Sequence, residues 1–360
     1  MHVRCAKEGA VESQSLVLLP QPSVPHFQVS QDATTVVVAT AKMKAIFERH
    51  DQALHFTDSS GRTFLSEVAG TRRLDQSSIQ GEATFAAEQA FVSPVGEHLF
   101  GTGEFQDGFL DIRDLPRRLT QVNSQIAIPF LLSSRGYGIL WHNYGLTDLN
   151  PSDERVLLTR TSTGGETAAS VTTAEGAKRE IRREGEFAGS LEIPRDGRYA
   201  FMLDVGQKMA RRYHVEIDGK VVIDFANFWL PPTTSWFGAL TSGRHSIRVI
   251  AAQNDQPVLF WRPTDDRTVL RSPVAEAVDY VVFAGPTPDD VIASYRQLTG
   301  PAPLMPQWAY GYIHCRERFH SSQEILEAAS EFRKRNLPLD LIVQDWAVLG
   351  QVRLECDEVG

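Results

Sequence analysis

Most of the chain alternates between apolar and polar positions in short runs that end at turn residues. From residue 1 to about 160 such runs include Thr34–Val38, Lys44–Glu48 and Leu54–Thr57, and Ser59-Ser60-Gly61 marks a hairpin turn. Asn123–Trp141 supplies two longer apolar arms, Ile126–Leu132 and Gly138–Trp141, around a Ser-Ser-Arg-Gly turn. Strands at this spacing predict an antiparallel sandwich. Between roughly Thr161 and Pro263 a second all-β module is predicted. Ser162–Ala177, small and rich in Thr and Gly, reads as the connector into it. Gly185–Ile193 and Tyr199–Phe201 read as strands, and Asp218-Gly219 between Tyr213–Ile217 and Val221–Phe225 is a strong hairpin signal. Ser242-Gly243 marks a further turn before the strand that runs to Val249. Ala275–Gly285 returns to strand, and a helix opens at Pro286-Thr287-Pro288, runs through Leu298 and ends at Thr299-Gly300.

The period changes near the end. Ser321 followed by Glu324 is a capping-box pattern, and Ile325, Leu326, Ala328, Ala329 and Phe332 then recur at helical spacing. Arg333, Lys334 and Arg335 suit the negative end of a helix dipole, Asn336 suits a left-handed cap, and Pro338 blocks continuation. Strand-like runs at Ala309–Ile313 and Leu339–Val343 flank this helix. Strand, helix, strand predicts parallel neighbours joined by a right-handed crossover. A (β/α)₈ barrel needs about 250 residues, so Met305–Gly360 suffices for about two of its eight units.

Composition narrows the classes. A hydrophobic content of 42% and a charged content of 22% suit a globular protein. The formal charge of −9 offers phosphate no basic stripe and argues against a nucleic-acid partner. Cys5, Cys315 and Cys356 are widely separated, and no Cys/His spacing suggests a metal. No apolar run approaches the length of about 18 residues that crosses a membrane. The first residues lack the apolar segment of a signal peptide, so the expected location is cytoplasmic, or periplasmic if the true N-terminus lies upstream.

Three stretches carry candidate chemistry. Asp345 and Trp346 follow the last predicted strand, where barrel side chains face substrate. There the carboxylate could accept from sugar hydroxyls and the indole cover a ring face; equally, Asp345 could cap a loop and Trp346 plug the rim. Phe100-Gly101-Thr102-Gly103-Glu104 reads as a tight β-turn aiming Glu104 into a groove rather than a phosphate loop, because no helix follows. Asn227–Pro232 and Trp236-Phe237 concentrate aromatics, either to stack on sugars or, as the commoner case, to anchor a loop. Asp218 and Asp224 are not at calcium-loop spacing.

Several of these motifs occur in the order found in glycoside hydrolase family 31. Val281–Ile292 with Tyr295–Gly300 resembles that family's sandwich-to-barrel junction, and Pro306–Gly311, Cys315–Arg318 and Val343–Trp346 continue the likeness. Phe100–Glu104, Asn123, Pro129-Phe130 and Arg135–Gly138 resemble its N-terminal sandwich, and the insertion is similar to the PA14-like domain of a bacterial α-xylosidase subgroup. The resemblance implies a mostly β chain: a galactose-mutarotase-like β-sandwich (1–164), an inserted PA14-like β-sandwich (165–262), a return strand and connector helix (263–300), and the first βα units of a truncated (β/α)₈ barrel (301–360). It implies retaining hydrolysis of α-xylosidic bonds in xyloglucan oligosaccharides, without a cofactor. Two carboxylates about 5 Å apart would flank the scissile bond.

The family's nucleophile sits in a Trp-x-Asp-x-x-Glu-Pro-like motif that does not occur here. The expectation is therefore an N-terminal portion that lacks the catalytic Asp pair and is inactive alone, with a non-catalytic carbohydrate-binding protein or a non-functional gene fragment as alternatives. By the same resemblance Asp345 binds hydroxyls of the sugar being cleaved, Trp346 sits beside it, and Arg318 and Phe319 line the pocket. The tail Gln351–Gly360 departs from the aromatic-rich continuation of the family. No membrane partner is expected, and the oligomeric state is left open.

Overall fold

The computed structural model describes residues 1–7, 14–21, 23–173, 176–316 and 319–344, with the backbone alone for 163–182 and 228. It divides into two units: Met1–Gly165 with Arg183–Pro301, and a second that contains the chain from Ala302 onward.

The first unit begins with a mutarotase-like β-sandwich. One sheet runs in the order His2–Ala6, Ala277–Ala284, Tyr137–Trp141, Ile126–Ser133, Leu99–Glu104. A second runs Arg117–Leu119, Thr147–Leu149, Arg267–Ala275, Glu82–Val92, Arg73–Ile79. A five-stranded meander from Gln28–Gln31 to Thr63–Ser66 completes it. The core between them holds Phe56, Phe91, Leu131, Trp141, Leu270 and Tyr280. Trp141 ties the first two sheets together by donating its indole N–H to Ser272 Oγ at 3.0 Å.

The chain leaves this sandwich, builds a second one, and returns. Arg155–Leu157, Val258–Pro263, Gly197–Asp204 and Thr233–Leu240 form one layer. The other layer has the order Thr159–Thr173, Gly176–Ile193, Gly243–Ala252, Ala210–Ile217, Lys220–Leu230. It has its own core of Phe201, Leu203, Val215, Val249 and Leu259. Asp218 (φ 51°) and Gly219 (φ 74°) form the expected hairpin turn. Ser162–Ala177, expected as a connector, is instead mostly strand, because a Thr-rich run suits extended backbone when a partner strand lies beside it.

The returning strand Ala277–Ala284 is buried on both faces. Val278, Tyr280 and Val282 point into the sandwich core, while Val281 and Phe283 pack with Val291 of the helix Pro288–Thr299. That helix starts as its sequence dictates: Thr287 and Asp290 form a reciprocal capping box, Pro288 occupies its first turn, and Gly300 (φ 96°) ends it.

Two buried carboxylates bear on stability. Glu67 accepts from Tyr280 Oη (2.7 Å), from the Leu54 backbone N–H (2.8 Å) and from Arg72. It thereby links the strand Ala277–Ala284 to the meander. Asp255, nearly inaccessible in the second sandwich, has burial as the main influence on its carboxyl, pushing it from 3.8 up to about 6 against the one Ala252 N–H it accepts.

Two outcomes follow. Glu67→Ala is expected to lose about 3 kcal/mol in urea unfolding, because Arg72 and Tyr280 are left without their partner, against about 1 kcal/mol for Tyr280→Phe. For Asp255 the folded state holds a proton that the unfolded chain releases, so ionisation destabilises the fold fully above about pH 6 and not below about pH 4. Asp255→Asn should accordingly gain about 2–3 kcal/mol at pH 7–8 and almost nothing near pH 4, read from denaturation midpoints at both pH values.

Candidate functional site

In the second unit, the strands Ile313–Arg316 and Leu341–Gln344 pair in parallel, in register Ile313↔Leu341 to Arg316↔Gln344. The helix Ser322–Lys334 joins them. Ser321 Oγ accepts from the Glu324 N–H, while the Glu324 carboxylate reaches one residue further back, to the His320 N–H at 2.8 Å. At the other end Asn336 takes φ 51° and Leu337 N–H closes on Phe332 C=O, as a Schellman-type stop requires. The first strand lies later than expected. Gln307–Tyr310 forms a 3₁₀ turn after Pro306, so the extended run is Ile313–Arg316 rather than Ala309–Ile313.

The amino ends of the two strands are clasped by Asp340, whose Oδ2 accepts from Tyr312 N–H at 2.9 Å and whose own N–H donates to Tyr312 C=O at 2.9 Å. A Cβ on Gly311 would lie 2.1 Å from that carboxylate oxygen, so any larger residue has to push the Asp340 side chain aside. On the helix side, His314 packs between Tyr312 and Phe332, with ring centroids 6.0 and 5.1 Å away.

At the carboxyl ends, Gln344 donates its amide to Phe319 C=O at 3.0 Å, and its Oε1 is buried with no partner among the described residues. Phe319 is 3% exposed, near His314 (6.2 Å between rings) and under the Arg316 guanidinium at 5.4 Å. Of the expected site residues, Phe319 is therefore placed at the carboxyl ends of these strands; Asp345, Trp346 and Arg318 lie outside the described residues. The missed feature is Gln344. Its position beside Asp345 was visible, but the tie to Phe319 spans 25 residues and leaves no pattern in sequence.

In the first unit the other candidates resolve into structure. Glu104 does not sit on a tight turn: it ends the bulged strand Leu99–Glu104, and it is exposed. Gly101 and Gly103 have φ of 108° and 102°, and Cβ atoms there would lie 2.5 and 2.1 Å from the carbonyls of Phe130 and Ile126. The glycines serve a close strand approach, not a ligand. Trp236 is buried and stacks on Phe201 at 5.3 Å, and Phe237 meets Phe109 edge-on under Arg198, so these aromatics are anchors. Trp229 remains partly exposed. Asp218 fastens its own turn by accepting from Ser246 N–H and pairing with His245 at 2.6 Å. A cavity of about 330 Å³ lies beside Trp236, with the buried Arg117–Asp107 pair and Phe105 among its walls.

The architecture is thus a β-sandwich with a second sandwich set into it, followed along the chain by a capped helix and a parallel strand–helix–strand unit. Residues 7–150 match the glycosyl hydrolase 31 N-terminal galactose mutarotase-like domain, and residues 302–357 match the glycosyl hydrolases family 31 TIM-barrel domain. The chain belongs to glycosyl hydrolase family 31. It is 25% identical to an α-xylosidase of Saccharolobus solfataricus across 95% of its own length, and spans 32% of that relative. An α-glucosidase of Bacillus thermoamyloliquefaciens is 49% identical over 69 residues, which are 19% of this chain and 9% of that one. The crystal structure of a family 31 α-xylosidase from Xanthomonas citri is 27% identical and superposes with a TM-score of 0.78 over 96% of this chain and 42% of its own.

The Asp340 clasp is directly testable. Gly311→Ala should displace the carboxylate, cost about 1–2 kcal/mol through the lost hydrogen bond, and raise proteolytic nicking between Tyr312 and Leu341. Gly311 itself has φ −89°, so the loss reads the displaced carboxylate and not left-handed backbone strain.

Proposed function

We propose that this chain supplies the sandwich and the first barrel strands of a retaining α-glycosidase whose substrates are α-xylosides such as those of xyloglucan oligosaccharides. The observation that carries this reading is the continuous likeness to the Xanthomonas citri α-xylosidase along 96% of the chain. In this reading the second sandwich is the PA14-type insertion, and the carboxyl ends of Ile313–Arg316 and Leu341–Gln344 form one side of the sugar site.

Retaining chemistry needs one carboxylate to attack the anomeric carbon and another, about 5 Å away, to protonate the leaving oxygen and then activate water. Asp345 is given neither task. Its proposed role is to accept hydrogen bonds from hydroxyls of the sugar being cleaved, with Trp346 covering an apolar ring face. Arg318 and Phe319 are proposed to line the same pocket. The buried Oε1 of Gln344, without a partner among the described residues, is a further acceptor at that strand end. No step calls for a cofactor.

The test is hydrolysis of an aryl α-xyloside by the chain of 360 residues beside a version extended through a full family 31 barrel. The extended protein should turn over, and Asp345→Ala in it should lower kcat/KM about 100-fold or more, through loss of a charged hydrogen-bond acceptor. Turnover by the 360-residue chain that is abolished by changing one of its own carboxylates would overturn the placement of catalysis. Hydrolysis of aryl α-glucosides in preference to α-xylosides would overturn the substrate.

A further inference from the structure

Three strands of the first sheet bring His2, His142 and Asp279 together on its outer face. Asp279 lies on the strand Ala277–Ala284, second in the sheet; backbone pairing sets Arg4 opposite it on one side, and His142 N–H donates to Asp279 C=O on the other. His2 is two residues from Arg4 and therefore shares its face. The helix Pro288–Thr299 covers this face only over Val281 and Phe283, which leaves the end at Asp279 open for polar chemistry.

The geometry there is unusual for ordinary ion pairing. Both imidazoles address the same oxygen: His2 Nε2 lies 2.6 Å and His142 Nδ1 3.1 Å from Asp279 Oδ1. Arg4 stands off on Oδ2 at 3.4 Å and leaves Oδ1 to the two rings. The far nitrogen of His142 is held in turn, with Nε2 2.9 Å from both Ser15 Oγ and Tyr144 Oη. An imidazole oriented through its second nitrogen is the arrangement that metal-ligating histidines show. A cavity of about 340 Å³ opens beside the cluster, lined by His142, Tyr144, Glu276 and Asp279 among others.

We propose that His2, His142 and Asp279 form a binding site for a divalent transition-metal ion of the zinc type. Two imidazole nitrogens and one carboxylate oxygen are a favourable donor set for zinc, and all three lie within 4.8 Å of one another. The two nitrogen–oxygen separations, 2.6 and 3.1 Å, lie close to the spacing of about 3.3 Å that ligands take around tetrahedral zinc. The fourth position faces the cavity and is filled by water. The ion fastens the edge strand His2–Ala6 to Ala277–Ala284 and Tyr137–Trp141, a stabilising role that is independent of the sugar chemistry.

Titrating the full chain with zinc chloride by calorimetry should show one saturable site at micromolar or lower concentration and a Tm that rises with the metal. Cobalt(II) at the same site should give the intense visible bands of four-coordinate nitrogen and oxygen ligation. Asp279→Asn keeps the shape and a hydrogen-bond acceptor, and His2→Gln changes an edge strand; each should weaken zinc by more than about tenfold. Circular dichroism of both variants without metal establishes that they fold. Absence of saturable binding, or zinc affinity and cobalt bands unchanged in both folded variants, would overturn the site.

Discussion

The strand Ala277–Ala284 is the constraint on which the rest of this protein depends, because, like its neighbour Tyr137–Trp141, it is buried from both sides over almost its whole length, and it also seats the helix that follows. Its inward residues Val278, Tyr280 and Val282 close the sandwich, and its outward Val281 and Phe283 seat the helix that leads toward the barrel. Such a strand has no solvent face, so a shift by one residue exchanges two different apolar environments rather than one apolar and one polar. What fixes its register is therefore local and polar: Tyr280 reaching Glu67, and Asp279 between His2 and His142. The close fit of the helix adds a steric check, since a Cβ on Gly138 of the neighbouring strand would meet Val291 at 2.8 Å.

A module of about a hundred residues is inserted without disturbing the sandwich because its entry and exit strands pair with each other. The chain departs near Arg155 and returns by Val258–Pro263, which pair with each other as Arg155↔Phe260 to Leu157↔Val258. Entry and exit are thus held side by side by backbone hydrogen bonds. The second sandwich encloses a separate core, so its packing and that of the first are largely independent. Polar links between them include Arg118, which bridges Asp148 of one and Asp204 of the other, and Ser235, whose Oγ donates to Pro116 C=O at 2.5 Å.

Much of this was legible in sequence where one residue type enforces one local geometry. Thr287, Pro288, Asp290 and Gly300 bound the connector helix as their chemistry requires, and Asp218-Gly219 supplies the hairpin its left-handed angles demand. Reading failed where partners are distant. Gly101 and Gly103 look like a turn until the carbonyls of Ile126 and Phe130 are seen pressing on them, and Thr159–Thr173 looks like a connector until its neighbours are known. The tryptophan at 236 could stack on a sugar or on Phe201, and only the packing decides for Phe201. His2, His142 and Asp279 are 137 or more residues from one another along most of the chain's length, so no spacing rule could join them.

The parallel unit at the end of the chain obeys a different balance. Its helix Ser322–Lys334 has no fully buried residue, and Leu326, Ile313 and Leu341 remain 61%, 42% and 38% exposed. Parallel strands ordinarily stand in sheets covered on both faces, and a pair of them is marginal in water. What holds this pair is therefore not a core but its local devices: the Ser321 cap, the Asn336 stop, the Asp340 clasp at one end and the Gln344–Phe319 tie at the other. These devices set the crossover and the register before apolar burial can reward them. A barrel assembled from such units gains its stability when neighbouring elements cover Ile313, Leu341 and Leu326, and the register that these devices fix leaves the carboxyl ends of both strands level with one another.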